Sequence, residues 1–148
     1  MDRRGFISSL VGGLLAAPLA AEAQPGKVFR IGILGTSPLT DPAAAHLWGV
    51  FFQRLRELGY VEGQNLAIER RFSEGKAERL PDLAADLVRL KVDIIVAAGG
   101  SAPLAAQSVT KTIPIVMSNN ADPVGSGLVA SLARPGGNIT GMSVLNPR

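Results

Sequence analysis

"VDIIVAAGG" (Val92–Gly100) runs apolar from Ile94 to Ala98 and is closed by two glycines. Such a stretch predicts a strand buried on both faces, which a parallel sheet requires. "IPIVMSNN" (Ile113–Asn120) repeats the pattern, and Ala102–Thr110 between them predicts a short helix.

Reading outward, "KVFRIGILG" (Lys27–Gly35) predicts a first strand ending at glycine. "TSPLTDP" follows as a loop, with Thr40 or Asp41 as helix N-cap and Pro42 in the first turn. Residues 43–58 show helical spacing, with Ala44, Leu47, Trp48, Phe51, Leu55 and Leu58 on one stripe and Gly59 as terminator. "NLAIERRF" (Asn65–Phe72) alternates with period two, placing Leu66, Ile68, Arg70 and Phe72 on one side of a strand near a sheet edge. Ala77–Leu90 is helical again, with Leu80, Leu83, Leu87 and Leu90 inward and Pro81 in the first turn. Val124–Arg134 predicts a further helix and "NITGMSV" (Asn138–Val144) a fifth strand. Strand and helix thus alternate four times before a last strand, the signature of an α/β, doubly wound parallel sheet with Rossmann-like alternation.

The first residues, "MDRRGFISSLVGGLLAAPLAAEA", place two arginines before a Gly/Ala/Leu-rich run from Phe6 to Ala21. Ala21-Glu22-Ala23 supplies a small-x-small cleavage pattern, so residues 1–23 read as a secretory signal, not a membrane span. Arg3-Arg4-Gly5-Phe6-Ile7 is similar to a twin-arginine signal, although Asp2 stands where Ser or Thr is usual; the general export route stays open beside it. The expected location is the periplasm or outside the cell, without a lipid anchor, because no cysteine follows the run.

Removing that leader takes away two basic and two acidic residues, leaving the net charge at +3. The remaining basic residues are scattered apart from Arg70-Arg71, and aromatics make up 5% of the chain. Nucleic-acid binding asks for a basic stripe or stacking aromatics, and the sequence has neither. With no cysteine there is no disulfide and no thiol nucleophile.

In open α/β sheets ligands sit beyond the carboxyl ends of the strands, near the point where strand order reverses. Those ends are "GTSP" (Gly35–Pro38), "AGGSA" (Ala98–Ala102) and "SNNAD" (Ser118–Asp122). Together they offer hydroxyls, amides, open backbone and one carboxylate, a set suited to a polar small molecule. Taken singly, each of these residues is as readily a helix cap or a turn former.

Catalytic patterns fail one after another. His46 falls beside an apolar helix stripe, and Ser101 lacks the G-x-S-x-G context. Gly32-Ile-Leu-Gly35 is not G-x-G-x-x-G, no Gly-Lys-Ser/Thr occurs, and metal-ligand spacing is absent, so no cofactor is expected. The pairs Asp82/Asp86 and Glu74/Glu78 read as solvated helix faces.

"ADPVGSGLVASLARPGGNITG" (Ala121–Gly141) resolves mainly into punctuation. Asp122-Pro123 starts a helix, Gly125 and Gly127 thin its first turns, and Pro135-Gly136-Gly137 ends it. Only its Asn119–Gly125 end is expected to face a ligand.

"TIPIVMSNNADPVGSGLVASLARPGGNITG" (Thr112–Gly141) closely resembles a signature of one family of bacterial ABC-transporter substrate-binding proteins. "RIGIL" (Arg30–Leu34), "F-x-x-x-L-R-E-L-G-Y-V-E-G-Q-N" (Phe51–Asn65) and "LVRLKVDIIVA" (Leu87–Ala97) match it too. The resemblance implies a type I periplasmic-binding fold, two Rossmann-like lobes closing on a small molecule, with some relatives binding aromatic amino acids. It also implies ABC permease subunits as partners.

Placement in that fold maps the ligand loops onto Thr36 and Ser37, Gly100 and Ser101, and Asn119, Asn120 and Asp122. Family members are roughly twice this length, so residues 24–148 would be one N-terminal lobe with half a binding site, the second lobe absent. An isolated lobe is then a candidate for dimerisation through its hinge-facing surface. A sensory module of the same fold is the alternative function, and an exported α/β enzyme a more distant one.

Overall fold

The computed structural model describes residues 27–120 and 137–143. Among the described residues the elements run β1 (Phe29–Gly35), α1 (Pro42–Glu57), β2 (Leu66–Phe72), α2 (Leu80–Arg89), β3 (Ile94–Ala98), α3 (Ala102–Val109), β4 (Ile115–Asn120) and β5 (Ile139–Ser143), strand and helix alternating up to β4. All pairings are parallel and the strand order is β2-β1-β3-β4-β5. The chain therefore steps outward from β1 to β2, then crosses back to lay down β3, β4 and β5 on the other side. Order reverses between β1 and β3, which puts the topological switch point there.

Two cores follow from the alternation of side chains along the strands. On one face Ile31, Ile33, Leu66 and Val96 pack with Trp48, Phe51, Phe52 and Leu55 of α1. On the other, Leu34, Ile95, Ala97, Ile115 and Met117 meet Leu80, Ala84 and Leu87 of α2 and Ala102, Ala105 and Ala106 of α3. Gly32 lets α2 approach, since a Cβ there would stand 3.0 Å from the Leu87 methyl groups. β3 packs on both faces, as its unbroken apolar run required, whereas β4 buries Ile115 and Met117 on one face and leaves Val116 half-buried on the other.

Local signals explain the helix ends. The Asp41 carboxylate accepts from the amides of Ala43 (2.9 Å) and Ala44 (3.0 Å), making Asp41, of the two expected candidates, the N-cap of α1. Pro81 lies in the first turn of α2, where its missing N–H is tolerated. α2 ends through Lys91 at φ 54°, whose amide donates to the Val88 carbonyl.

The structure departs from the sequence reading in several places. Leu47 and Leu58, expected on the apolar stripe of α1, are exposed (62% and 48%), because the face of α1 that meets the sheet is the one carrying Trp48, Phe51, Phe52 and Leu55. The expected helix over 77–90 begins as a 3₁₀ turn, Ala77–Arg79, because Pro81 withholds the amide that would extend the α ladder back through it. Glu74 lies on no helix face: it is exposed in the turn after β2, at φ 55° and followed by Gly75 at φ 81°. The strands at Val92–Gly100 and Ile113–Asn120 shorten to Ile94–Ala98 and Ile115–Asn120, residues 92–93, 99–100 and 113–114 belonging to the connecting loops. The leader (1–23) and the helix expected over 124–134 lie outside the described residues.

Candidate functional site

The carboxyl ends of β1, β3 and β4 converge at the switch point. β1 delivers Gly35 opposite Ala98 of β3, and Ala98 in turn stands opposite Ser118 of β4. Thr36 and Ser37 leave β1 directly, the first half-buried and the second exposed. Across from them Gly99 takes φ 97°, a conformation that favours glycine, and a Cβ there would lie 3.2 Å from Thr36 Oγ1. Its amide donates to the Ser118 carbonyl at 3.4 Å, tying the β3 turn to β4.

Gly100 and Ser101 follow, both exposed, and Ser101 is the N-cap residue of α3. It caps differently from Asp41. Its backbone is helical (φ −92°, ψ −26°) and its side chain makes no capping hydrogen bond. The hydroxyl therefore stands outside the helix, next to the positive end of the α3 dipole. α1, by contrast, already holds a carboxylate against its first amides.

The loop after β2 joins the same end of the sheet. Ser73 donates its amide to Gly35 (3.0 Å) and Gly75 donates to the Thr36 carbonyl (2.9 Å). Thr36 is thus braced on its backbone by Gly75, while its side chain abuts the glycine of the β3 turn. This bracing was invisible in the sequence, where a glutamate at positive φ has no distinguishing mark. Gly99 did carry a signal, the Gly-Gly pair, yet Gly100 was expected to matter and Gly99 was not. The backbone geometry gives Gly99 the tighter constraint.

The structure brings Thr36, Ser37, Gly100 and Ser101 to one end of the sheet. Asn119 and Asn120 are the last residues of β4 and not a free loop; the ladder reaches Asn120, which pairs with Ser143 across an irregularity after Met117. Asp122 lies outside the described residues. Among the described residues no group of three or more His, Asp or Glu is gathered as a metal would need, and no helix is long and apolar enough to cross a membrane. His46 is exposed on α1.

Among the described residues the ion pairs lie outside these loops, and one of them joins Arg54 to Glu57 along α1. Arg70 makes a two-pronged contact with Glu62 (2.9 and 3.1 Å), Arg71 reaches Glu69 and Asp86, and Arg89 pairs with Asp86. The Arg70-Arg71 cluster is neutralised by its own neighbours.

This parallel α/β lobe, with polar loops gathered at its switch point, has the architecture of a lobe of the type I periplasmic-binding fold. Residues 33–147 match the family described as ABC transporter substrate binding protein, and the chain belongs to that family. It is 38% identical to a tyrosine-binding protein of Clostridioides difficile over 93 residues, 63% of this chain and 27% of that protein. A Streptococcus pneumonia ABC domain solved in complex with L-Trp is 30% identical, with a TM-score of 0.72 over 79% of this chain and 39% of that one. A conserved domain protein of Vibrio cholerae is 32% identical, with a TM-score of 0.77 over 82% of this chain and 40% of that one. The chain therefore spans well under half the length of these relatives.

Proposed function

We propose that residues 24–148 form the N-terminal ligand-binding lobe of a solute-binding component of an ABC importer, and that the ligand is an amino acid. The observation carrying this reading is the crevice of Thr36, Gly99 and Ser101: uncharged donors and acceptors, open backbone, and a helix N-terminus not occupied by its own cap. An α-carboxylate at the α3 end and polar contacts from Thr36 and Ser37 suit that set. Relatives named for tyrosine and solved with L-Trp support the ligand class. Asn119, Asn120 and Asp122 are assigned to the same site by their position after β4. Residues 1–23 are assigned to export into the periplasm, and permease subunits are the protein partners that the family membership suggests.

The test is an NMR titration of the ¹⁵N-labelled chain with L-tyrosine, L-tryptophan, L-isoleucine and glucose. Expected are saturable shifts for an amino acid, centred on the amides of Thr36–Ser37 and Gly99–Ser101 and diminished by Ser101→Ala. Shifts with glucose alone, or amino-acid shifts confined to other parts of the lobe, would overturn the assignment.

A further inference from the structure

A second concavity lies at the opposite end of the sheet from the crevice. The C-terminal half of α1, the turn at 59–65 and the first residues of β2 enclose about 210 Å³. Its apolar lining is Phe52, Leu55, Leu66 and Ile68, and Tyr60 stands at its edge. Tyr60 is half-buried, its ring edge-on to Phe29 at 5.8 Å, and its hydroxyl has no hydrogen-bond partner among the described residues.

Two arginines line the same space, and they are not equivalent. Arg70 is held by the two-pronged contact with Glu62 and lies 4.9 Å over the Phe52 ring. Arg56 is exposed and pairs with no carboxylate among the described residues. The cleft thus has an apolar floor and, among the described residues, a solvent-facing guanidinium and a tyrosine hydroxyl that no protein group engages. Small-molecule pockets enclose roughly 300–1,000 Å³, so this one is the size of a single large side chain. Its mix of Phe, Tyr and Arg is the composition enriched in protein interfaces, where aromatic anchors fill such pockets.

We infer that this cleft is a docking point for a protein partner that inserts an aromatic side chain flanked by a carboxylate. The ring lies on Leu55, Leu66 and Ile68, the carboxylate meets Arg56, and the Tyr60 hydroxyl donates to the partner's backbone. This surface is separate from the ligand crevice and independent of which solute the crevice takes.

The test uses the full chain, ¹⁵N-labelled, titrated at low salt with acetyl-Glu-Phe-amide and with acetyl-Lys-Phe-amide. Saturable shifts are expected at the amides of Gly59, Val61, Glu62 and Ile68, with the glutamyl peptide binding about threefold tighter, the worth of one exposed ion pair. Arg56→Glu should invert that preference and Arg56→Ala should abolish it, each with an unchanged circular dichroism spectrum. The alanine variant decides the matter if the charge reversal perturbs folding. Absence of shifts at these amides, equal affinity of the wild type for both peptides, or a preference that survives both substitutions would overturn the inference. Shifts confined to Thr36–Ser37 and Gly99–Ser101 would overturn it as well, since they would place the peptide in the ligand crevice.

Discussion

Gly99 and Thr36 face each other across the switch point, close enough that a Cβ on the glycine would stand 3.2 Å from the threonine Oγ1. Gly99→Ala therefore meets two obstacles, the φ of 97° and the threonine. The expected loss is about 1–3 kcal/mol of unfolding free energy by urea titration. Amide shifts should be concentrated at Thr36 and Ser101, because relief comes from moving the crevice. A loss below about 0.5 kcal/mol would show that this contact does not constrain the turn.

Among the described glycines, Gly141 makes the closest approach. It lies in β5 at φ 142°, and a Cβ there would collide with the Met117 carbonyl of β4. A backbone atom cannot rotate aside, so Gly141→Ala must push β5 off β4. A loss above about 3 kcal/mol is expected, with hydrogen exchange accelerating first at Ile115 and Ile139. Unchanged protection at these amides would count against the close approach.

Ser73 presents the opposite case. It is fully buried and its hydroxyl has no hydrogen-bond partner among the described residues. Ser73→Ala removes that unmet group and should raise stability by about 1 kcal/mol, read as a higher urea midpoint with the same slope. A destabilised variant would mean that the hydroxyl has a partner in solution.

Much of the fold was legible because its signals are local. Apolar runs at 94–98 and 115–117 read as strands, with β3 packed on both faces, and Asp41-Pro42 announced a helix start. Alternation in β2 put Arg70 on the side of Leu66, Ile68 and Phe72, the side that meets α1, where Arg70 lies over the Phe52 ring. The site was legible only as a set of loops. Which residue of Gly99-Gly100 carries the constraint depends on a contact with Thr36, sixty-three positions away in the chain. The bracing of Thr36 by Gly75 is likewise a long-range hydrogen bond without a sequence mark. The Glu62–Arg70 pair was hidden for the same reason, as a contact between a turn and a strand.

That pair sets a pH dependence. Hydrogen bonds from Arg70 hold the Glu62 carboxyl below its ordinary range; burial opposes this and the Arg70 charge adds to it. A folded-state value below the unfolded one gives stability that is present above the unfolded pKa and lost as pH falls through the folded one. Glu62→Gln should thus cost less than about 1 kcal/mol at pH 7, given the exposure of the pair. The gap from wild type should close on acidification through the carboxylate range. A gap that stays constant with pH would assign the effect to packing.

The strand order also prescribes how the lobe is assembled on a growing chain. β1 is translated first yet ends up inside, between β2 and β3, and has both neighbours once Ala98 has been made. From then on the sheet extends in one direction only, β4 docking on β3 and β5 on β4. Each new strand is received by the edge its predecessor left open. Synthesis order and spatial order therefore coincide for the second half of the lobe. Once Asn120 has emerged the α1-side core is complete, β2 stays as the outer edge, and the β4 edge is the one that waits for residues still to come.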